Sequence, residues 1–211
     1  MKIKRIVGGS LESNGFILTS NNSKDCYLID PGYDGKRYLS ELNSAGLILK
    51  GILLTHLHHD HVGGVKKITS VIDCDVYMHR ADADVYNGQV DVFLEGGEEI
   101  KLSDELIQVV HTPGHTKGSV CFFVPSERKV FTGDTIFNVD LGRTDLAGGS
   151  EYEMEESIRN IVSKWENDIV IYPGHGDPAN MKFVRIYNME YLEIVGELHN
   201  HKPWNGEGFI L

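Results

Sequence analysis

The stretch Gly51-Ile52-Leu53-Leu54-Thr55-His56-Leu57-His58-His59-Asp60-His61 decides the reading of this chain. Its first half is a continuous apolar run, consistent with a strand buried on both faces. Its second half offers four ligand-type side chains, His56, His58, Asp60 and His61, within six positions. Asp60 and His61 are predicted to open a helix. Open α/β sheets place their sites at the carboxyl ends of strands, so these side chains are expected to converge there. Imidazole together with carboxylate suits zinc, iron or manganese, whereas calcium and magnesium favour oxygen ligands alone. The segment is internal and runs into Val62-Gly63-Gly64, unlike a terminal histidine tag. His59 is expected to point away, because a turning backbone cannot aim successive side chains at one point.

Working outward, three more segments place a ligand-type residue just after a predicted strand. His115 lies in His111-Thr-Pro-Gly-His115, Asp134 in Phe131-Thr-Gly-Asp134, and His175 in Ile171-Tyr-Pro-Gly-His175. In each, the preceding Gly lets the backbone turn sharply and present the side chain at a strand end. With the first cluster they make five His and two Asp. That set exceeds one tetrahedral ion and fits two neighbouring metals with a bridging carboxylate and open positions. His79, His111, His199 and His201 are read as turn, core or surface residues.

Around these segments the chain reads as strands at Ile3–Val7, Gly15–Thr19 and Cys26–Asp30, separated by Gly, Asn and Ser clusters. A helix follows over Tyr38–Ala45, closed by Gly46, and another over Val65–Val71. Further strands are predicted at Asp75–Met78, Ile107–His111, Val120–Val124, Lys129–Phe131 and Ile169–Tyr172. Glu151–Trp165 has helical period and an acidic start, and a last helix is expected from Ala179 to about Leu198. The order is that of an α/β chain in two loosely similar halves. No Pro- or Ser-rich linker divides residues 1–211, so one domain is expected, a four-layer αββα sandwich of two mixed sheets.

Composition narrows the function. Of 211 residues, 31 are acidic and 20 are Lys or Arg, a formal charge of -11 that opposes phosphate backbones and excludes general nucleic-acid binding. No run approaches the roughly 18 apolar residues of a membrane span, and Met1 to Val7 lacks the apolar core of a secretory signal. The three cysteines, Cys26, Cys74 and Cys121, are widely spaced and odd in number, which speaks against a disulfide framework. A cytoplasmic location is expected. Oligomeric state is not legible.

The motif set resembles the metallo-β-lactamase superfamily, whose first motif is HxHxDH, and most of all its glyoxalase II branch, the hydroxyacylglutathione hydrolases. The resemblance runs from Asp30-Pro31-Gly32 to Pro173-Gly-His175-Gly-Asp177. It implies one metal site of His56, His58 and His115, a second of Asp60, His61 and His175, and Asp134 bridging them. It also implies two divalent ions, zinc foremost with iron or manganese as alternatives, and a small-molecule thioester substrate. Asp60 would hold the attacking hydroxide and accept its proton, and Asp30 would orient a ligand imidazole; Arg143 is read either as a surface charge or as a holder of an anionic part of the substrate. Longer hydroxyacylglutathione hydrolases carry a basic C-terminal extension that grips glutathione, whereas 36 residues follow His175 here. His rather than Glu at position 58 argues against the flavodiiron oxygen reductases of the same fold. Leu141–Gly149 also resembles a loop of persulfide dioxygenases, which leaves a mononuclear iron dioxygenase as an alternative. A metal-dependent binding module without turnover is a third.

Overall fold

The computed structural model describes residues 1–204 and 206. Its first six strands are β1 (Lys2–Gly8), β2 (Ser13–Thr19), β3 (Asp25–Ile29), β4 (Ile48–Leu53), β5 (Asp75–His79) and β6 (Val92–Leu94). The next six are β7 (Glu99–Leu102), β8 (Glu105–His111), β9 (Val120–Val124), β10 (Lys129–Gly133), β11 (Val170–Pro173) and β12 (Ala179–Asn180). Each set forms one mixed sheet, ordered β1-β2-β3-β4-β5-β6 and β12-β11-β10-β9-β8-β7. β3, β4, β5 and β6 run parallel, as do β10 and β11, and the other pairings are antiparallel.

Strand alternation explains the layering. Phe16 and Leu18 of β2 point one way and join Ile29, Leu53, Phe122 and Phe131 in a core between the sheets. Ile17, one residue out of phase, joins Leu28 and Ile52 on the outer face. There they meet Tyr38 and Leu42 of α1 (Gly35–Ala45), Val62 of α2 (His59–Val62), and Val65 and Ile68 of α3 (Val65–Thr69). A short α4 (Arg80–Ala83) follows β5. On the other sheet Cys121, Val130 and Ile171 face outward against α5 (Glu151–Asn160), α6 (Met181–Tyr187) and α7 (Met189–Val195). The result is helices, sheet, sheet, helices, the expected four-layer αββα sandwich.

Several expectations need correction. The helix predicted over Ala179–Leu198 is broken. Ala179 and Asn180 form β12, and Asn180 caps α6 by accepting from Phe183 N–H at 2.8 Å. Asn188 then ends α6 and caps α7, accepting from Tyr191 N–H at 2.9 Å. An Asn side chain that bonds the next turn competes with helix continuation. Its amide also donates to the carbonyls of Phe137 and Asp140, which requires the break. The helix over Glu151–Trp165 ends at Asn160 and passes into a 3-10 turn at Val162–Lys164. The helix over Val65–Val71 stops at Thr69, that over Tyr38–Ala45 begins at Gly35, and β6, β7 and β12 were not anticipated. The predicted unit ran over residues 1–211; residues 205 and 207–211 lie outside the described part.

Cys26 and Cys121 are buried and Cys74 half-buried, all three free. Burial pushes the thiols up, to about 12 for Cys26 and about 11 for the other two. Such thiols are poor nucleophiles. Among the described residues no helix is long and apolar enough to cross a membrane.

Candidate metal centre

The seven predicted residues follow four strand ends or strand connections and meet at one edge of the sandwich. Thr55 to His61 follow β4, His115 lies between β8 and β9, Asp134 follows β10, and His175 follows β11. Asn14 N–H donates to the Gly174 carbonyl at 2.7 Å and Val120 N–H to Thr55 at 2.9 Å, which ties the two sheets together there. One donor atom each from His56, His58 and His115 lie within 4.8 Å of one another, and so do those of Asp60, His61 and His175. Asp134 stands between the groups. Its Oδ2 is 3.4 Å from His115 Nε2 and 3.5 Å from His175 Nε2, while its Oδ1 is 3.4 Å from His61 Nε2.

Whether these residues suit a metal is decided by what the outer nitrogens do. Thr55 Oγ1 donates its one proton to Asp30 Oδ2 at 2.5 Å and must therefore accept from His56 Nδ1–H at 3.0 Å. His56 Nε2 is left as a buried lone pair with no hydrogen-bond partner, and Asp134 Oδ1 is likewise orphaned. His61 donates through Nδ1 to Asp30 at 3.0 Å, His115 to the Arg143 carbonyl at 2.7 Å, and His175 to the Leu11 carbonyl at 2.9 Å. In its neutral form each of these four rings is thus fixed in the tautomer that turns its other nitrogen inward, the arrangement by which outer partners orient metal-binding imidazoles. Unpaired buried polar atoms are costly unless something electrophilic meets them. The donor set fits divalent cations.

Asp30, His56 and His61 form a third close group. Asp30 already accepts from Thr55 N–H, Thr55 Oγ1–H and His61 Nδ1–H, so it holds rings in place. It does so from a left-handed backbone (φ 46°) just past β3. Gly174 makes room for the centre, since a Cβ there would stand 2.1 Å from Asp134 Oδ1 and 2.7 Å from His61 Cε1. His59, with its side chain 77% exposed, turns outward to Tyr33 Oη at 3.2 Å. Arg143 contributes its carbonyl to His115, but its guanidinium is held by Asp145 through two bonds of 2.6 and 2.7 Å.

Two positioning residues escaped the sequence reading. Buried Asp82 accepts from Leu57 N–H at 3.0 Å, Thr116 Oγ1–H at 2.8 Å and Gly118 N–H at 2.7 Å, and so clamps the His56–His58 turn to the His115 loop. Buried Asn14 donates to the carbonyls of Pro173 and Gly176 at 2.9 and 2.7 Å, holding the turn that carries His175. Ser13 Oγ–H beside it donates to the Asp60 carbonyl at 2.8 Å. In sequence Asp82 is one acid among several and Asn14 one of many loop-type residues. We expect Asp82→Ala to weaken metal binding about 10- to 100-fold, as other outer partners of metal ligands do. Titration against a competing chelator checks this.

Charge is divided unevenly across the centre. Burial and neighbouring imidazoles hold His56 far below the usual histidine range and His58 at about 4. Burial opposes charge on His61 and His175 as well. For His61 the carboxylates of Asp134, Asp30 and Asp60 outweigh it and raise the pKa well above the usual value. For His175, bonds to Asp134 and Asp60 raise it to about 9. Burial likewise opposes ionisation of Asp60, but bonds to His175 and His61 win and keep it below the ordinary carboxylate range. A cation entering the Asp60–His61–His175 group must therefore displace protons at neutral pH. Its affinity is expected to rise as pH rises towards about 9, where His175 gives up its proton. The sign reverses for the metal-free protein. A raised His175 pKa stabilises the fold fully below its unfolded value, and that contribution is lost as pH rises through about 9. Calorimetric metal titrations in buffers of different ionisation enthalpy read the released protons directly.

The sequence model of the family described as the metallo-beta-lactamase superfamily matches residues 8–175. The chain belongs to that superfamily. It is 31% identical to the probable metallo-hydrolase YqgX of Bacillus subtilis (strain 168), over 86% of this chain and 93% of that one. It is 30% identical to the probable polyketide biosynthesis zinc-dependent hydrolase BaeB of Bacillus velezensis, over 87% and 83% of the two chains. Among solved structures, TTHA1623 in a di-iron-bound form superposes with a TM-score of 0.79 at 29% identity, covering 88% of this chain and 98% of that one.

Proposed function

We propose that this metal-dependent hydrolase of the metallo-beta-lactamase superfamily cleaves a thioester with a binuclear centre. The observation that carries the proposal is the pair of donor groups sharing Asp134 between them, with His56 Nε2 and Asp134 Oδ1 left without a hydrogen-bond partner. His56, His58 and His115 would hold one cation, Asp60, His61 and His175 the other, and Asp134 both. Relatives named as zinc-dependent and di-iron-bound support divalent metals without choosing between zinc and iron. Two such cations would supply hydroxide at neutral pH and pull electron density from a carbonyl oxygen.

The chain's own residues provide the rest. Ionised Asp60, with Oδ2 3.2 Å from His175 Nε2, would take the nucleophile's proton. Asp30, the Leu11 carbonyl and the Arg143 carbonyl keep the imidazoles from rotating, so the donors need no rearrangement when charge develops. A leaving thiol has a pKa near 8.5, so thiolate departs without a separate general acid, whereas an alkoxide or amide would need one. The experiment is metal analysis of the purified protein joined to a thioester hydrolysis assay. About two ions per chain with thioester turnover supports the assignment, and a metal-loaded protein inert to every thioester tried defeats it.

A further inference from the structure

The cavity over the donor groups, about 450 Å³, is lined by apolar side chains from separate segments: Leu11 in the β1–β2 turn, and Phe137, Leu141 and Leu146 after β10. Leu11 is 54% exposed and Leu146 40% exposed. The Phe137 ring meets the His175 ring edge-on at 5.9 Å. Scattered exposed leucines need no explanation, but here they converge directly above the chemistry, where apolar surface marks a ligand.

Charge around this mouth points the same way. Among the described residues lining it, Arg143 is the one Lys or Arg, and Asp145 neutralises it through both guanidinium bonds. Past Leu141 and Arg143 the surface continues into a groove of about 620 Å³ that carries Glu151, Glu155, Glu190 and Glu193. Of its two arginines, Arg143 is taken by Asp145 and Arg159 lies 3.5 Å from Glu155. An anionic arm extending outward would cross these carboxylates, and among the described residues lining the groove both arginines already face a carboxylate, in a chain whose net charge is -11.

We propose that the mouth binds an uncharged aliphatic acyl chain, and that thioesters of anionic thiols such as glutathione are disfavoured. This rests on the thioester reading above and adds the substrate's character to it. Burying a methylene strengthens binding about fourfold, so each added pair of methylenes should raise kcat/KM about fifteenfold until the cavity is filled.

The test uses the metal-loaded protein. Acetyl, butanoyl and hexanoyl thioesters of N-acetylcysteamine are compared in hydrolysis, and the non-hydrolysable thioethers S-hexyl-N-acetylcysteamine and S-hexylglutathione in calorimetric binding. Hydrolysis should rise along the acyl series, and the neutral thioether should bind at least about tenfold more tightly than the glutathione one. Leu11→Ser with Leu146→Ser should flatten the series, and Asp145→Asn, which frees Arg143, should narrow the gap between the thioethers. A flat series, or equal or tighter binding of S-hexylglutathione, overturns the proposal. If the thioethers bind as expected but no thioester is cleaved, the apolar mouth stands and the thioester hydrolase assignment falls.

Discussion

His56→Ala or Asp134→Ala should strip metal and reduce hydrolysis by more than about 100-fold, the upper range for losing even an outer partner of a metal ligand. His59→Ala should keep both within about twofold. The contrast is sharp because His56 and His59 lie three positions apart in one segment and are physically unlike in the fold. His56 Nε2 and Asp134 Oδ1 are buried atoms without a hydrogen-bond partner, and Asp134 is, among the described residues, the one carboxylate within 3.5 Å of nitrogens from both histidine groups. Removing either leaves its neighbours facing a void of unbalanced lone pairs. His59 has its side chain in solvent and a hydrogen bond to Tyr33, so its loss exposes nothing. Elemental analysis of the three proteins after dialysis against buffered metal reads the outcome. Equal metal loss in His59→Ala would overturn the assignment of donors.

What the sequence could show follows from how local each interaction is. The HxHxDH segment is legible because strand, turn and helix start lie within eleven residues and the ligands within six. The Gly-led strand ends at His115, Asp134 and His175 are legible for the same reason. Asn14 and Asp82 are not, since their partners lie 25 to 162 residues away in the chain. The break at Asn188 is hidden likewise, because the side chain serves the Phe137–Asp140 loop some 50 residues earlier, which no helical period records. Arg143 illustrates a different limit. A cation in a loop beside a metal motif reads as an anion holder, yet a carboxylate two residues on, at Asp145, satisfies it first, and the guanidinium holds that carboxyl at about 2.

The sharpest separation of hydrolase from dioxygenase comes from the second donor group. By resemblance, a mononuclear iron enzyme on this scaffold would use His56, His115 and Asp134, a two-histidine, one-carboxylate set with positions open for oxygen. Asp60 and His175 would then lie outside the metal's ligands. In the binuclear assignment both belong to the second cation, where Asp60 Oδ2 and His175 Nε2 stand 3.2 Å apart and His61 Nε2 lies 3.4 Å from each. Asp60→Ala with His175→Ala removes two of those three donors while leaving His56, His58 and His115 untouched. The remaining His61 and Asp134 are too few to retain a cation against a chelator. Bound metal should fall from about two ions to about one, and thioester hydrolysis should be abolished, because the nucleophile and the residue that takes its proton are lost together. The dioxygenase alternative expects the opposite pattern: one iron in the parent, oxygen uptake with glutathione persulfide, and much of that uptake surviving the double substitution. An oxygen electrode run beside the metal assay distinguishes them. Oxygen consumption by a parent that holds one iron and leaves thioesters intact would show that Asp60 and His175 frame an open iron face instead of a second metal.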